Sequence, residues 1–267
     1  MPIESNADEV ARWMLAVSKQ IPYAASKALN KTLWDLRRLE RREMERAFKS
    51  PTPYTLRAIR YKTSTKRNLQ GELYINAQSK TGNAQVTFLK RQVVGGGRRG
   101  KRIEGSMSKA KGAPNINRLF AVPTNAVKKN AFGNVSRATQ ISIAKGAAGK
   151  GTERANNRYF VKKSKGKPIG IFERYGRKVR MEDGKRKRIR PVMIFTRRPT
   201  YRKRFRFYSV AVRHANKRFE QHFDKMFNAV LLQEGLINPG MHVKLMGGER
   251  AAPKSDFKDW SERFNNG

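Results

Sequence analysis

Between Arg158 and Arg206 twenty Lys or Arg residues stand against three acidic ones, threaded with Phe160, Phe172, Tyr175, Phe195, Tyr201 and Phe205 and followed by Phe207. Within this block, RYFVKK, IGIFERY and PVMIFT mix apolar and charged residues in short runs bounded by the turns KSKGKP and MEDGKRKR, the signature of antiparallel strands. Strands of this kind can be dry on one face. Their cations must then lie on the other face, in loops, or against an acidic partner. The imbalance extends beyond the block, because 60 Lys and Arg against 20 Asp and Glu leave the 267-residue chain at +40. A hydrophobic share of 38% with 21 glycines is nevertheless close to ordinary globular usage, which argues for a folded core and against a disordered polycation.

The chain has no cysteine, which excludes disulfides, thiol catalysis and Cys-based zinc or iron–sulfur sites. Its opening, MPIESNADEVARW, is acidic and lacks a basic run followed by an apolar one, and no stretch approaches 18 uninterrupted apolar residues. The expectation is a soluble, unexported chain with no membrane partner.

From Ala11 to about Phe48 the text is helical, with Trp13, Met14, Val17 and Ile21 continued by Ala25, Ala28, Leu29, Leu33 and Leu36. Pro22 lacks an N–H and predicts a kink or restart, hence two helical pieces. Thr52–Pro53 opens a short helix in YTLRAIR. ELYIN and QVTFLK read as an antiparallel hairpin around SKTGN. GGGRRGK and the following Ser-Lys-Gly mixture form a basic loop, with a short helix around IEGSMSKA. INRLFAVPTNAV, AFGNVS and TQISIA read as extended pieces, and AKGAAGKGTERANN as a Gly-rich mobile connection. Pro191 is expected at a strand start or edge. Helical spacing returns from Tyr208 with Val212, Ala215, Phe219, Phe223, Met226 and Val230, and ends at Gly235.

No catalytic constellation emerges. Gly95 followed by Gly100-Lys101 approaches a phosphate-binding loop, but Arg102 replaces the hydroxyl that would hold magnesium, and the strand–loop–helix context is missing. His214 and His222 are eight residues apart, about 12 Å along a helix at ~1.5 Å per residue, too far to share a metal; His242 lies in the tail. Glu173, Glu182 and Asp183 suit local charge pairing better than a nuclease centre. Arg186, Lys187, Arg188 and Arg190 have the composition of a localisation signal but read equally as a solvated turn. The aromatics of the basic block fit a packed core at least as well as a base-stacking platform. The expectation is a protein that is not an enzyme and needs no cofactor or metal.

The order of segments adds a resemblance. IPYAASKALNKT, PTPYTLRAI, TSTKRNLQGELYI, QVTFLKRQVVGGGRRGKR, LFAVPTN, FGNVS, NRYFVKK, GIFERYG and RPVMIFTRRPTYRKRFRF, with the terminal helix, resemble the minor tail protein Z and tail-completion or neck proteins of tailed bacteriophages, over roughly residues 10 to 232. The resemblance implies a virion component at the head–tail junction or head-proximal tail end, assembled in host cytoplasm as a ring, often of six copies. It implies portal or adaptor, tail-terminator or tail-tube partners, with genomic DNA in the lumen. It transfers no catalytic residue.

The resulting expectation is an α+β fold: a small antiparallel sheet, open or partly closed, flanked by long N- and C-terminal helices, with long basic Gly-rich loops. Residues 1–50 are an N-terminal helical arm, 51–234 the α+β domain, and 235–267 a flexible extension. Arg98, Arg99, Lys101, Arg102, Lys185, Arg186, Lys187, Arg188 and Arg190 are the loop candidates for DNA or partner contact. Arg197, Arg198, Arg202, Lys203 and Arg204 are candidates on the sheet-to-helix face. The alternative is a stand-alone nucleic-acid-binding or packaging-associated protein.

Overall fold

The computed structural model describes residues 6–78, 84–107, 110, 112–113, 119–164, 167–181 and 184–243. The described elements run α1 (Ala7–Ala47), α2 (Pro53–Leu56), β1 (Ile59–Lys62), β2 (Glu72–Ile75), α3 (Gln85–Val93), β3 (Gly96–Gly97), α4 (Arg102–Met107) and β4 (Leu119–Pro123). They continue with α5 (Arg137–Ala147), α6 (Glu153–Arg158), β5 (Tyr159–Ser164), β6 (Lys167–Met181), β7 (Gly184–Arg197), β8 (Thr200–Tyr201) and α7 (Phe207–Gln233). Helices and small antiparallel sheets make this an α+β protein.

Helix α1 runs unbroken through Pro22, so the expected two helical pieces are one. The proline forfeits one N–H in a 41-residue helix. Cooperative propagation on both sides and an apolar face with buried positions from Val17 to Met44 hold the rest.

Contacts divide the chain into two units: Met1–Leu33, Thr63–Gly71 and His214–Gly267 form the first, Trp34–Lys62 and Glu72–Arg213 the second. In the first, Val17, Ala24, Ala25 and Ala28 of α1 pack with Phe223, Phe227, Val230 and Leu231 of α7 and with Ile237. The alanines allow close helix approach, and Phe219, Phe223 and Phe227 stack at successive centroid spacings of 5.8 and 5.6 Å. Asn30 and Ser64 exchange hydrogen bonds of 3.0 and 2.8 Å, pinning the 63–71 segment to α1. Beyond Gly235, which has φ +67°, Trp13 Nε1 donates to Leu236 O at 2.8 Å and Asn228 pairs both ways with Val243.

In the second unit, β1 and β2 pair antiparallel, with Ile59 opposite Ile75. Thr52 Oγ1 caps α2 by accepting from Thr55 N at 3.1 Å, as the Thr-Pro pair predicts. The expected hairpin is not formed: ELYIN supplies β2, but QVTFLK is helix α3, and SKTGN lies outside the described residues. Val86, Leu89 and Val93 recur at helical spacing, and this face packs with Met44, Ala58, Ile59, Ile75, Phe205 and Phe207.

The main sheet has the order β4-β7-β6-β5, all antiparallel. Helices α4, α5 and α6 cover one face, with Met107, Ile143, Ala144 and Ala155 on Tyr159, Ile171, Val192, Met193 and Phe195. TQISIA therefore belongs to α5, not to an extended piece. Ser136 caps that helix through Thr139 N at 3.1 Å, and Ile143 and Ala144 turn to the core. The AKGAAGKGTERANN stretch is ordered at both ends, by the close of α5 and by Thr152 capping α6. Pro191 sits opposite Phe172 at a register shift, just past the last β4 partner, Met193. There β7 is locally an edge, the place a missing donor costs least.

Candidate polyanion-binding surface

Strands β3 and β8 bring together two basic segments about a hundred residues apart. Gly96 pairs with Tyr201 and Gly97 with Thr200. Gly95 and Gly96 have φ +86° and +87°, and a Cβ on Gly95 would stand 3.1 Å from Tyr201 O. The triple glycine thus serves a left-handed backbone and a close approach, the physical reason for GGG before RRGKR. Arg204 N and Phe205 N both donate to Gln92 O, at 2.8 and 3.0 Å, and Arg198 Nε donates to Arg98 O at 3.2 Å.

Around this seam Arg99, Lys101, Arg102, Arg198, Arg202, Lys203 and Arg204 are all exposed. None of the seven forms an ion pair among the described residues. Arg98 differs: its guanidinium forks onto the buried carboxylate of Glu104, with Nη1–Oε2 at 2.8 Å and Nη2 to Oε1, and lies 4.7 Å from the Phe120 ring centroid. Lys101 N also donates to Glu104 Oε2 at 2.6 Å. Burial alone would raise the Glu104 pKa, but the Arg98 hydrogen bonds, the Lys101 N–H and both neighbouring cations together hold it below the ordinary carboxylate value. In turn, the hydrogen bond to Glu104 raises the Arg98 pKa further. Arg98 therefore organises the loop while its neighbours face solvent. Glu104 was missed as this anchor, although it is the only acid between Glu72 and Glu153.

Glu173 plays the same part in the main sheet. It is buried and paired with Arg158 and with Arg190, whose Nε lies 2.8 Å from Oε2. Arg190 also lies 4.8 Å from the Tyr175 centroid, so this candidate is engaged internally. Glu173 pairs charge as expected, while Glu182 and Asp183 lie outside the described residues. Arg188 is exposed. Lys185, Arg186 and Lys187 occupy β7 positions opposite Arg180, Val179 and Lys178, and Arg197 stands opposite Leu119.

The aromatics divide by face. Phe195, Phe205 and Phe207 are buried. Phe160 and Phe172 form a pair 6.2 Å apart, with Arg174 4.0 Å from Phe160 and Lys162 6.0 Å from Phe172. No protein-family model, curated protein or solved structure matches the chain. Among the described residues no helix is long and apolar enough to cross a membrane, and no group of three or more His, Asp or Glu could hold a metal ion.

Proposed function

We propose that the chain is a non-enzymatic structural protein of a tailed-phage particle. It is a tail-completion or neck subunit that forms a ring, with six copies, at the head–tail junction or head-proximal tail end and surrounds the DNA channel. The order of segments resembling minor tail protein Z supports this reading. The single structural observation that carries it is the β3–β8 seam, which gathers exposed cations while its one buried acid, Glu104, is already taken by Arg98. Cations so arranged repel one another in an isolated chain and are relieved by DNA and its displaced counterions.

Assembly draws support from α1, where Val10, Met14 and Leu15 are 46%, 59% and 57% exposed, apolar surface that a neighbouring subunit would cover. The outer strands β4 and β5 offer edges at which neighbours complete a partly closed wall. Basic Gly-rich loops then meet portal, adaptor, tail-terminator or tail-tube surfaces, in the virion and during assembly in host cytoplasm.

The test begins with mass measurement and negative-stain imaging of the full chain at micromolar concentration. Rings are expected, and the Arg99→Gln, Lys101→Gln, Arg102→Gln variant should still form them while its particles retain less DNA. A chain that stays monomeric and binds duplex DNA with steep salt dependence would instead favour the stand-alone nucleic-acid-binding protein, the reading to which the exposed cations also lend weight.

A further inference from the structure

Helices α4, α5 and α6 cover one face of the main sheet, and the register shows what the other face carries. Tyr159 and Ile171 turn to the helices, so by the alternation of a strand Phe160 and Phe172 turn away from them. These two phenylalanines stand directly opposite each other on β5 and β6, half-buried, with ring centroids 6.2 Å apart. Pro191, opposite Phe172 on β7, extends the row and is exposed. The rows on either side add Val122, 43% exposed, and Ile189, 41% exposed. The cations of this face lie over the rings: Arg174 is 4.0 Å from the Phe160 centroid, and Lys162 is 6.0 Å from that of Phe172. Arg174 Nη1 also donates to Asn157 O at 3.1 Å, which holds the guanidinium in place above its ring. Among the described residues no strand position of this face holds an acid, and Glu173 turns to the other side, where Arg158 and Arg190 engage it.

We infer that this face is a stacking platform for single-stranded nucleic acid. The inference goes beyond the proposed function, in which the exposed cations of the seam meet the backbone of duplex DNA. Adjoining planar groups, two rings and a pinned guanidinium, match the polyanion whose own units are planar. An unpaired base stacks on an aromatic ring or on an Arg plane, while the phosphates that link the bases pair with Lys162. A duplex cannot use such a surface, because its base faces are already taken up in its own stack. A second copy of the chain fits the face less well: with 60 Lys and Arg against 20 Asp and Glu, it would bring mostly further cations to a surface without an acid. DNA and RNA strands share the chemistry of bases on a phosphate backbone and differ here only in the 2′-hydroxyl.

The experiment uses the full-length chain with a mixed-sequence DNA strand of about 12 nucleotides and an abasic strand of the same length and charge, both followed by fluorescence anisotropy. The wild type should hold the base-bearing strand about tenfold or more tighter, and the Phe160→Leu, Phe172→Leu variant should lose that preference while keeping its affinity for the abasic strand. The seam variant Arg99→Gln, Lys101→Gln, Arg102→Gln should instead weaken both strands by the same factor. Equal affinities for the two strands in the wild type would leave charge as the only attraction and overturn the inference, as would a preference that survives the loss of both rings. A second measurement needs no variant: strands carrying bromouracil, irradiated on the wild-type chain, should crosslink at Phe160 or Phe172. Crosslinks confined to other surfaces overturn the assignment. An RNA strand of the same sequence, taken through both measurements, separates the two sources, since the strand with the larger Phe-dependent preference is the one the face takes. Assemblies that form in the wild type and are lost in a Phe variant with wild-type circular dichroism would make the face a contact between copies, and so overturn the inference too.

Discussion

Glu40 lies on α1 with both carboxylate oxygens buried and without a hydrogen-bond partner among the described residues. Burial first, then the charge of Glu43, push its pKa from the ordinary 4.5 up to about 9, against a smaller downward pull from the Ala211 backbone. Between those two values the folded chain keeps a proton that the unfolded chain has released, so stability falls as pH rises through the window. Replacing Glu40 by Met, apolar and of similar length, should raise the unfolding free energy by about 1–3 kcal/mol near pH ~8 and flatten its pH dependence; urea melts on either side of neutrality measure both. A slope as steep as the wild type's would refute this. Glu104 has the opposite sign: its depressed pKa gives stability that is full above the unfolded carboxylate value and lost as pH falls through the folded one. Glu104→Gln should cost about 3 kcal/mol at neutral pH by stranding Arg98, and less in acid, where the wild type has lost the pair too. Sequence could nominate Arg98 and Arg190 only as cations. Their internal partners sit six and seventeen residues away, across folded backbone that a charge pattern does not encode.

Among the elements, α7 and the strands β5 to β7 were legible because each has one dominant period and turn-forming neighbours. Helices α3 and α5 were not, because QVTF and ISIA are rich in β-formers and short enough for tertiary packing to override propensity. The distinction is testable side chain by side chain. A strand would set Val86 and Phe88 on one face and Leu89 on the other, whereas α3 turns Val86 and Leu89 to the core together and leaves Phe88 38% exposed. Leu89→Ala should therefore cost about 2–4 kcal/mol in chemical denaturation, and Phe88→Ala only about 1, mainly its contact with Tyr54. The β3–β8 seam escaped sequence reading for another reason: two-residue strands have no period, and their pairing depends on backbone approach through glycines. Pro22 gives a converse test, since an unbroken α1 implies that Pro22→Ala restores a missing bond and raises stability by about 1–3 kcal/mol, read from the thermal midpoint.

At the scale of the whole molecule the +40 charge and the apolar cores pull against each other. The two buried carboxylates Glu104 and Glu173 pair with three arginines and cancel two of their charges, while the seam cations Arg99, Lys101, Arg102, Arg198, Arg202, Lys203 and Arg204 stay exposed. Self-repulsion then acts over the Debye length, ~30 Å at 0.01 M salt and ~8 Å at 0.15 M, so a chain with this charge should gain stability as salt screens it. The expected result is a thermal midpoint that climbs by several degrees between those salt concentrations, the reverse of a protein held together by surface ion pairs. Adding a short DNA duplex at the lower salt should raise the midpoint further, because a ligand that binds only the folded arrangement of cations stabilises it by mass action. The two effects should compete: salt that screens the repulsion also weakens the DNA contacts, so the increment from DNA should shrink as salt rises. Scanning fluorimetry over a grid of salt and duplex concentrations reads both at once. A midpoint indifferent to both would mean that the surface charge is already compensated within the folded chain, and would remove the electrostatic basis for a DNA-lined ring.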